Sequence, residues 1–213
     1  MIISLERKEA GLGTKLELVV ATRNRKKIEE IKRLLEGMAV VLYTLDDFPG
    51  CPEVLEDADS FRGNAVRKAS VVANYTKKPA ISDDSGLEVY ALKGAPGVFS
   101  ARFAGEDADD RKNLEKLLAE LHGSDDSARG ARFVCCIALV YSNGRAETFE
   151  GTAEGRIGRE PRGCNGFGYD PVFYPEGRQR TFAEMSPEEK DALSHRGVAL
   201  RKFRTYIAGH LSE

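Results

Sequence analysis

Leu16-Glu17-Leu18-Val19-Val20-Ala21 is an apolar run rich in β-branched residues. Just beyond it the apolar spacing changes period, with Ile28, Ile31, Leu34 and Leu35 three or four apart ahead of Gly37. A switch from strand to helix spacing over so short a stretch predicts strand, turn and helix in direct succession. The alternation continues. Residues 40–42 suggest a second strand, and a helix over about 60–75 would bury Ala65, Val66, Ala69, Val72 and Ala73. Residues 79–82 and 87–92 read as two short strands, with Asp83-Asp84-Ser85-Gly86 as the turn between them. A helix over 109–121 stops at Gly123, and strands at 131–141 and 145–151 flank Ser142-Asn143-Gly144, whose Asn-Gly is a strong hairpin signal. Ser186-Pro187-Glu188-Glu189 has the form of a capping box with proline at the first helical position. A final helix from about residue 194 presents Ala199, Phe203 and Ile207. Strands alternating with helices in this way predict an α/β fold with a mixed sheet.

Bulk properties narrow the function classes. A chain of 213 residues with 41% hydrophobic residues supplies a real core, and no repeat or interdomain linker interrupts it. The formal net charge is −2, so no global positive field draws in nucleic acid or an anionic membrane. Any anionic ligand must be met locally. No apolar stretch approaches bilayer length and the first residues lack a secretory core, which together predict a cytoplasmic protein. Cys51, Cys135, Cys136 and Cys164 form no C-x-x-C pair and no zinc-like grouping with the three histidines. Adjacent residues on a strand face opposite ways, so Cys135 and Cys136 are expected as buried, reduced thiols.

Four stretches gather chemistry. Ala21-Thr22-Arg23-Asn24-Arg25-Lys26-Lys27 opens a helix, where free backbone N–H groups and the dipole favour an anion; its competing reading is a solvated basic face. It is no Walker loop, and the chain holds no complete G-x-G-x-x-G. Asp83-Asp84-Ser85-Gly86 is either a solvated turn or a metal or general-base site at a strand end. In Gly163-Cys164-Asn165-Gly166-Phe167-Gly168-Tyr169-Asp170 the glycines allow close backbone approach and an aromatic ring can stack on a base, unless both aromatics belong to the core. The last stretch, Ser194-His195-Arg196-Gly197, lies where one helix ends and another begins.

In order and spacing these four stretches, together with Gly94-Ala95-Pro96-Gly97-Val98-Phe99-Ser100-Ala101-Arg102 and Asn64-Ala65-Val66-Arg67-Lys68-Ala69, resemble the inosine triphosphate pyrophosphatase family. The likeness runs from Leu16 to about Phe203. It implies an elongated mixed β-sheet flanked by helices in two lobes with a cleft between them, as one domain over 16–213 behind an N-terminal extension, 1–15, and a homodimer. It also implies Mg²⁺-dependent hydrolysis of ITP, dITP and XTP to the nucleoside monophosphate and pyrophosphate. By the same likeness Asp84 is the catalytic base and a metal ligand, Glu56 is the second metal carboxylate, Asp83 supports them and Ser85 contacts substrate. Thr22, Asn24 and Lys27 fall on the phosphate-cradling turn, while Lys68 and Lys190 match lysines near the triphosphate. Phe167, Gly168, Tyr169 and Asp170 resemble the nucleobase pocket, with Phe167 as the stacking ring, and His195 with Arg196 resemble its base-edge readers. Family members often carry glycine where this chain has Arg23. Were a positive φ needed there, arginine would cost about 1 kcal/mol of strain; otherwise it is a further phosphate donor. Two other readings stay open: a non-catalytic nucleotide-binding regulatory module, and a septum-inhibitor-type pyrophosphatase acting on modified pyrimidines.

Overall fold

The computed structural model describes residues 15–106 and 109–210, so all but one residue of the expected N-terminal extension lies outside the described residues. Six strands form one sheet in the order β2-β1-β3-β4-β5-β6. Strands β1 (Leu16–Val20), β2 (Val40–Thr44) and β3 (Ala80–Val89) run parallel, while β4 (Gly130–Val140), β5 (Ala146–Ile157) and β6 (Phe173–Pro175) continue it antiparallel. The helices are α1 (Arg25–Leu34), α2 (Phe61–Thr76), α3 (Asp110–Glu120), α4 (Pro187–Leu193) and α5 (His195–His210). None of them is long and apolar enough to cross a membrane.

Three apolar clusters show how the sheet is covered. On one face α2 brings Ala65, Ala69 and Val72 against Val19, Ala80, Cys136 and Ala138. On the other, Ile31 of α1 and Ala199, Leu200 and Phe203 of α5 cover Leu18, Ile81, Cys135 and Ile137. Cys135 and Cys136 thus lie buried on opposite faces, and burial lifts the Cys136 thiol to about 12, so it stays protonated. A third cluster joins the far ends of β3, β4 and β5 to α3, β6 and the 182–185 segment, making the second lobe. The long strands β3, β4 and β5 run through both lobes.

Most expected elements are present, including the hairpin about Asn143-Gly144 and the capping box at Ser186 and Glu189. One expectation fails. Asp83-Asp84-Ser85-Gly86 is no turn: β3 is a single strand paired with β4 from Ala80↔Val140 to Val89↔Ala131 without a break. Local turn propensity is overridden by ladder hydrogen bonds and by partners distant in sequence. On the other edge β3 pairs with β1 only at Ala80 and Ile81, after which β1 turns away into α1. The acidic pair therefore sits beside the carboxyl end of β1, where α1 and α2 leave on opposite faces, the kind of position at which open α/β sheets take their ligands.

Candidate active site

Alternation along β3 sends the two carboxylates to opposite faces. Asp83 points toward α1 and α5, where Arg196 donates to its Oδ2 through Nε (3.0 Å) and Nη2 (2.7 Å), and Lys27 Nζ lies 3.0 Å from Oδ1. The lysine contact is an ion pair and not an aligned hydrogen bond, for Asp83 Oδ1 has no hydrogen-bond partner. Asp84 points toward α2, where Asn64 Nδ2 donates to Oδ2 (3.1 Å) and Lys68 Nζ lies 3.4 Å from Oδ1. Like charges at adjacent positions are tolerated because each has its own cation on its own side.

The two environments push the pair apart. Burial alone would raise both carboxyls. At Asp83 the Arg196 and Lys27 charges outweigh burial and hold it well below the usual carboxylate range, whereas at Asp84 burial outweighs Lys68 and the group is raised. Two neighbouring carboxyls with divergent affinity for protons assign their own roles: Asp83 is a fixed anion, Asp84 a group able to take up a proton.

Lys68 joins Asp84 to Glu56 (2.6 Å), and Arg102 fixes the Glu56 segment through its carbonyl (2.8 Å). Burial disfavours the Lys68 charge, but Asp84 and Glu56 overcome it and keep the ammonium protonated. On this side of the strand an open cavity of about 570 Å³ is lined by Thr22, Arg23, Glu53, Glu56 and Lys68. Asn24 caps α1 by accepting from Lys27 N (3.2 Å), which orients the turn. Arg23 has no positive φ, Lys77 and Lys93 being the non-glycine residues with one among those described, so the strain considered for it is absent.

A second cleft of about 630 Å³ lies across the strand, bordered by Ser85, Phe167, Lys190, His195 and Arg196. Its floor is an ion lattice. Lys190 Nζ, 4.8 Å from the Phe167 ring centre, reaches Glu30 (2.8 Å) and Asp170 (2.6 Å); Arg196 bonds Glu30, Asp83 and Ser85 Oγ (2.9 Å). Four of the five guanidinium N–H groups of Arg196 are engaged inside the protein. His195 is buried at the edge of the cleft and stacks on Phe133, ring centres 4.6 Å apart. Burial and neighbouring cations hold it well below the ordinary histidine value, hence neutral, and its Nδ1 has no partner. The close approach of α5 depends on Gly151 of β5, where a Cβ would run into the His195 carbonyl and the Ala199 amide.

Thr22, Lys27, Glu56, Lys68, Asp83, Asp84 and Ser85 lie about this strand junction, while Lys190, Tyr169 and Asp170 line the Phe167 cleft with their polar groups engaged by the protein itself. Lys190, expected near the triphosphate, borders the Phe167 cleft with its charge shared between Glu30 and Asp170. Tyr169 is core, its hydroxyl donating to the Ser100 carbonyl (2.9 Å). Asp170 is buried and accepts from Phe167 N (2.8 Å) as well as from Lys190, so it shapes the Phe167 loop; Gly166 and Gly168 on either side of Phe167 both hold a positive φ, and Gly168 donates to Asp110 Oδ2 (3.0 Å). Glu30 and Asn64 went unassigned in the sequence. Both carry a signal there: Glu30 adjoins Ile31 of the α1 apolar stripe, and Asn64 precedes Lys68 by one turn on the buried face of α2.

Comparison with known proteins finds clear relatives. The model of the Ham1 family matches residues 18–206. Proteins named dITP/XTP pyrophosphatase from Desulforamulus reducens and Geobacter sulfurreducens are each 50% identical to this chain, over 187 and 190 residues; the matches cover 88% and 89% of this chain and 93% and 96% of theirs. The solved structure of a HAM1 protein from Coxiella burnetii superposes with a TM-score of 0.84 at 44% identity, covering 91% of this chain and 99% of that one. The chain belongs to the Ham1 family.

Proposed function

We propose that this protein hydrolyses the triphosphates of deaminated purines, ITP, dITP and XTP, to the nucleoside monophosphate and pyrophosphate. The observation that carries the mechanism is the divergence of Asp83 and Asp84 on a strand with the Phe167 cleft on one side and the cavity bordered by Arg23, Glu56 and Lys68 on the other. Support for the substrate comes from relatives at 50% identity named for dITP and XTP.

In this reading the purine lies in the Phe167 cleft. Its six-position oxygen meets hydrogen-bond donors, while the amino group of adenine would leave those donors unpaired, a mismatch of several kcal/mol when buried. His195, neutral, offers one donor nitrogen and one acceptor. The tail crosses β3 toward Lys68, with the amides and the Thr22 hydroxyl of the turn after β1 donating to phosphate oxygens. Asp84 accepts a proton from a water molecule as its oxygen forms a bond to the α-phosphorus. The bond from that phosphorus to the bridging oxygen breaks, and its electron pair leaves with pyrophosphate. Asn64 and Lys68 hold Asp84 in place for this transfer.

Mg²⁺ is part of the proposal. Among the described residues no group of three or more His, Cys, Asp or Glu side chains stands ready to hold a metal. That suits this ion, which takes one or two carboxylates together with substrate phosphates. Glu56 and Asp84 are the hard oxygen donors available, and the Lys68 ammonium between them marks where positive charge is needed. When bound, Mg²⁺ supplies neutralisation of the phosphate charge and a more acidic water. A homodimer and residence in the cytoplasm belong to the same reading. The deciding assay is pyrophosphate release from a panel of triphosphates with and without Mg²⁺. ITP, dITP and XTP should be turned over far faster than ATP, UTP or TTP, and only with the metal; equal rates for ATP and ITP would overturn the proposal.

A further inference from the structure

Arg23 differs in its partners from the ion-paired cations of the site. Glu30, Glu56, Asp83, Asp84 and Asp170 are ion-paired with Lys27, Lys68, Lys190 and Arg196. Five carboxylates against four cations leave one negative charge in excess, an unwelcoming field for a polyanion. Arg23 stands outside this lattice. Its one polar partner among the described residues is the Cys51 carbonyl, to which Nη2 donates at 3.3 Å, and no carboxylate lies within ion-pairing reach. Arg23 is exposed and borders the cavity shared by Thr22, Glu56 and Lys68. Four N–H groups remain for a ligand, arranged in the planar fork that suits a phosphate.

Position says which phosphate. The Phe167 cleft and the Arg23 cavity have no lining residue in common, and Asp84 lies at the strand between them. If the base occupies the first and Asp84 marks the reacting α-phosphorus, the part of the tail beyond it occupies the second. We infer that Arg23 is a ligand of the departing pyrophosphate, gripping the β- and γ-phosphates through its guanidinium fork and receiving the charge that gathers on the β-phosphate as the bond breaks. The inference rests on the triphosphate-cleaving reading above and assigns this side chain its place in it.

Arg23→Ala and Arg23→Lys test it by separating the two products. With ITP and Mg²⁺, Arg23→Ala should lower kcat/KM about tenfold or more, the effect of one lost charge-assisted contact. It should weaken product inhibition by pyrophosphate by a similar factor while inhibition by IMP stays unchanged, and Arg23→Lys should restore part of both losses. General damage to the site would weaken both products together. That result, or a pyrophosphate inhibition constant equal to that of the unaltered protein, overturns the inference. Calorimetric titration with inorganic pyrophosphate and Mg²⁺ reads the same contact without turnover. Failure of the unaltered enzyme to cleave ITP refutes the reaction, whereas equal pyrophosphate binding by Arg23→Ala refutes only the role of Arg23.

Discussion

Replacing Arg196 by methionine is the sharpest probe of the lattice beneath the site. Methionine keeps much of the volume but removes the charge and every donor. Asp83, with no exposed surface, then loses contacts of 3.0 and 2.7 Å and keeps Lys27 at 3.0 Å and the Ser85 hydroxyl at 3.2 Å. Glu30 keeps only Lys190 at 2.8 Å. Removing one partner from a buried ionic cluster costs about 3–5 kcal/mol, because the remaining charge is neither hydrated nor paired. For a domain of this size that corresponds to a fall in Tm of roughly 6–20 °C.

Urea denaturation at several pH values distinguishes a lost charge partner from lost packing. In the unaltered protein the folded-state pKa of Asp83 is depressed: burial opposes the charge, but Arg196 and Lys27 overcome it. Its ion pairs therefore stabilise fully above the unfolded carboxyl value, near pH 4, and that stability fades as pH falls toward the lower folded value. Without Arg196 the carboxyl rises, and protonation relieves the buried charge under milder acid. The stability gap between the two proteins should narrow from pH 7 downward, and adding Asp83→Asn to Arg196→Met should recover part of the loss. A gap below about 1 kcal/mol at pH 7, or one that holds constant down to pH 4, would refute the assignment of Arg196 as the charge partner of Asp83.

Two further substitutions probe the strand itself. Asp84→Asn should fold and bind ITP yet lose about 10²–10⁴ in kcat, as expected for removal of a general base. Because burial raises Asp84, the acidic limb of kcat/KM for the unaltered enzyme should fall above the ordinary carboxyl value of 3.8 and vanish from the residual rate of the variant; wild-type turnover by Asp84→Asn would rule out this base. Gly86→Ala should destabilise by about 1–3 kcal/mol, the usual range for overpacking, since a Cβ there would overlap Ser100 Oγ, the Gly97 carbonyl and the Phe61 ring. It would also break the Leu87 N to Ser100 Oγ bond (2.8 Å), and an unchanged urea midpoint would contradict the packing described.

How far the sequence discloses this protein depends on the range of the forces involved. Period and cap chemistry act over a few residues, so α1, α2, the Asn143-Gly144 hairpin and the Ser186 capping box are legible, as is the division of Cys135 and Cys136 between faces. The same local rules misread Asp83-Asp84-Ser85-Gly86 as a turn, because what keeps it a buried strand lies far along the chain: Arg196, 113 residues from Asp83, and Lys68, 16 residues before Asp84. A central strand carrying two carboxylates breaks the ordinary rule for a core, and such a break is expected where function resides. The adjacency that first reads as repulsion has a geometric use. A strand presents successive side chains to opposite faces at nearly the same depth, so neighbouring aspartates let one strand hold α5 through Arg196 on one side while meeting α2 and Lys68 on the other. Two carboxylates spaced by one residue would share a face and could not join the clefts in this way. The Asp-Asp pair is thus the shortest connection a sheet can make between the Phe167 cleft on one face and the Lys68 cavity on the other.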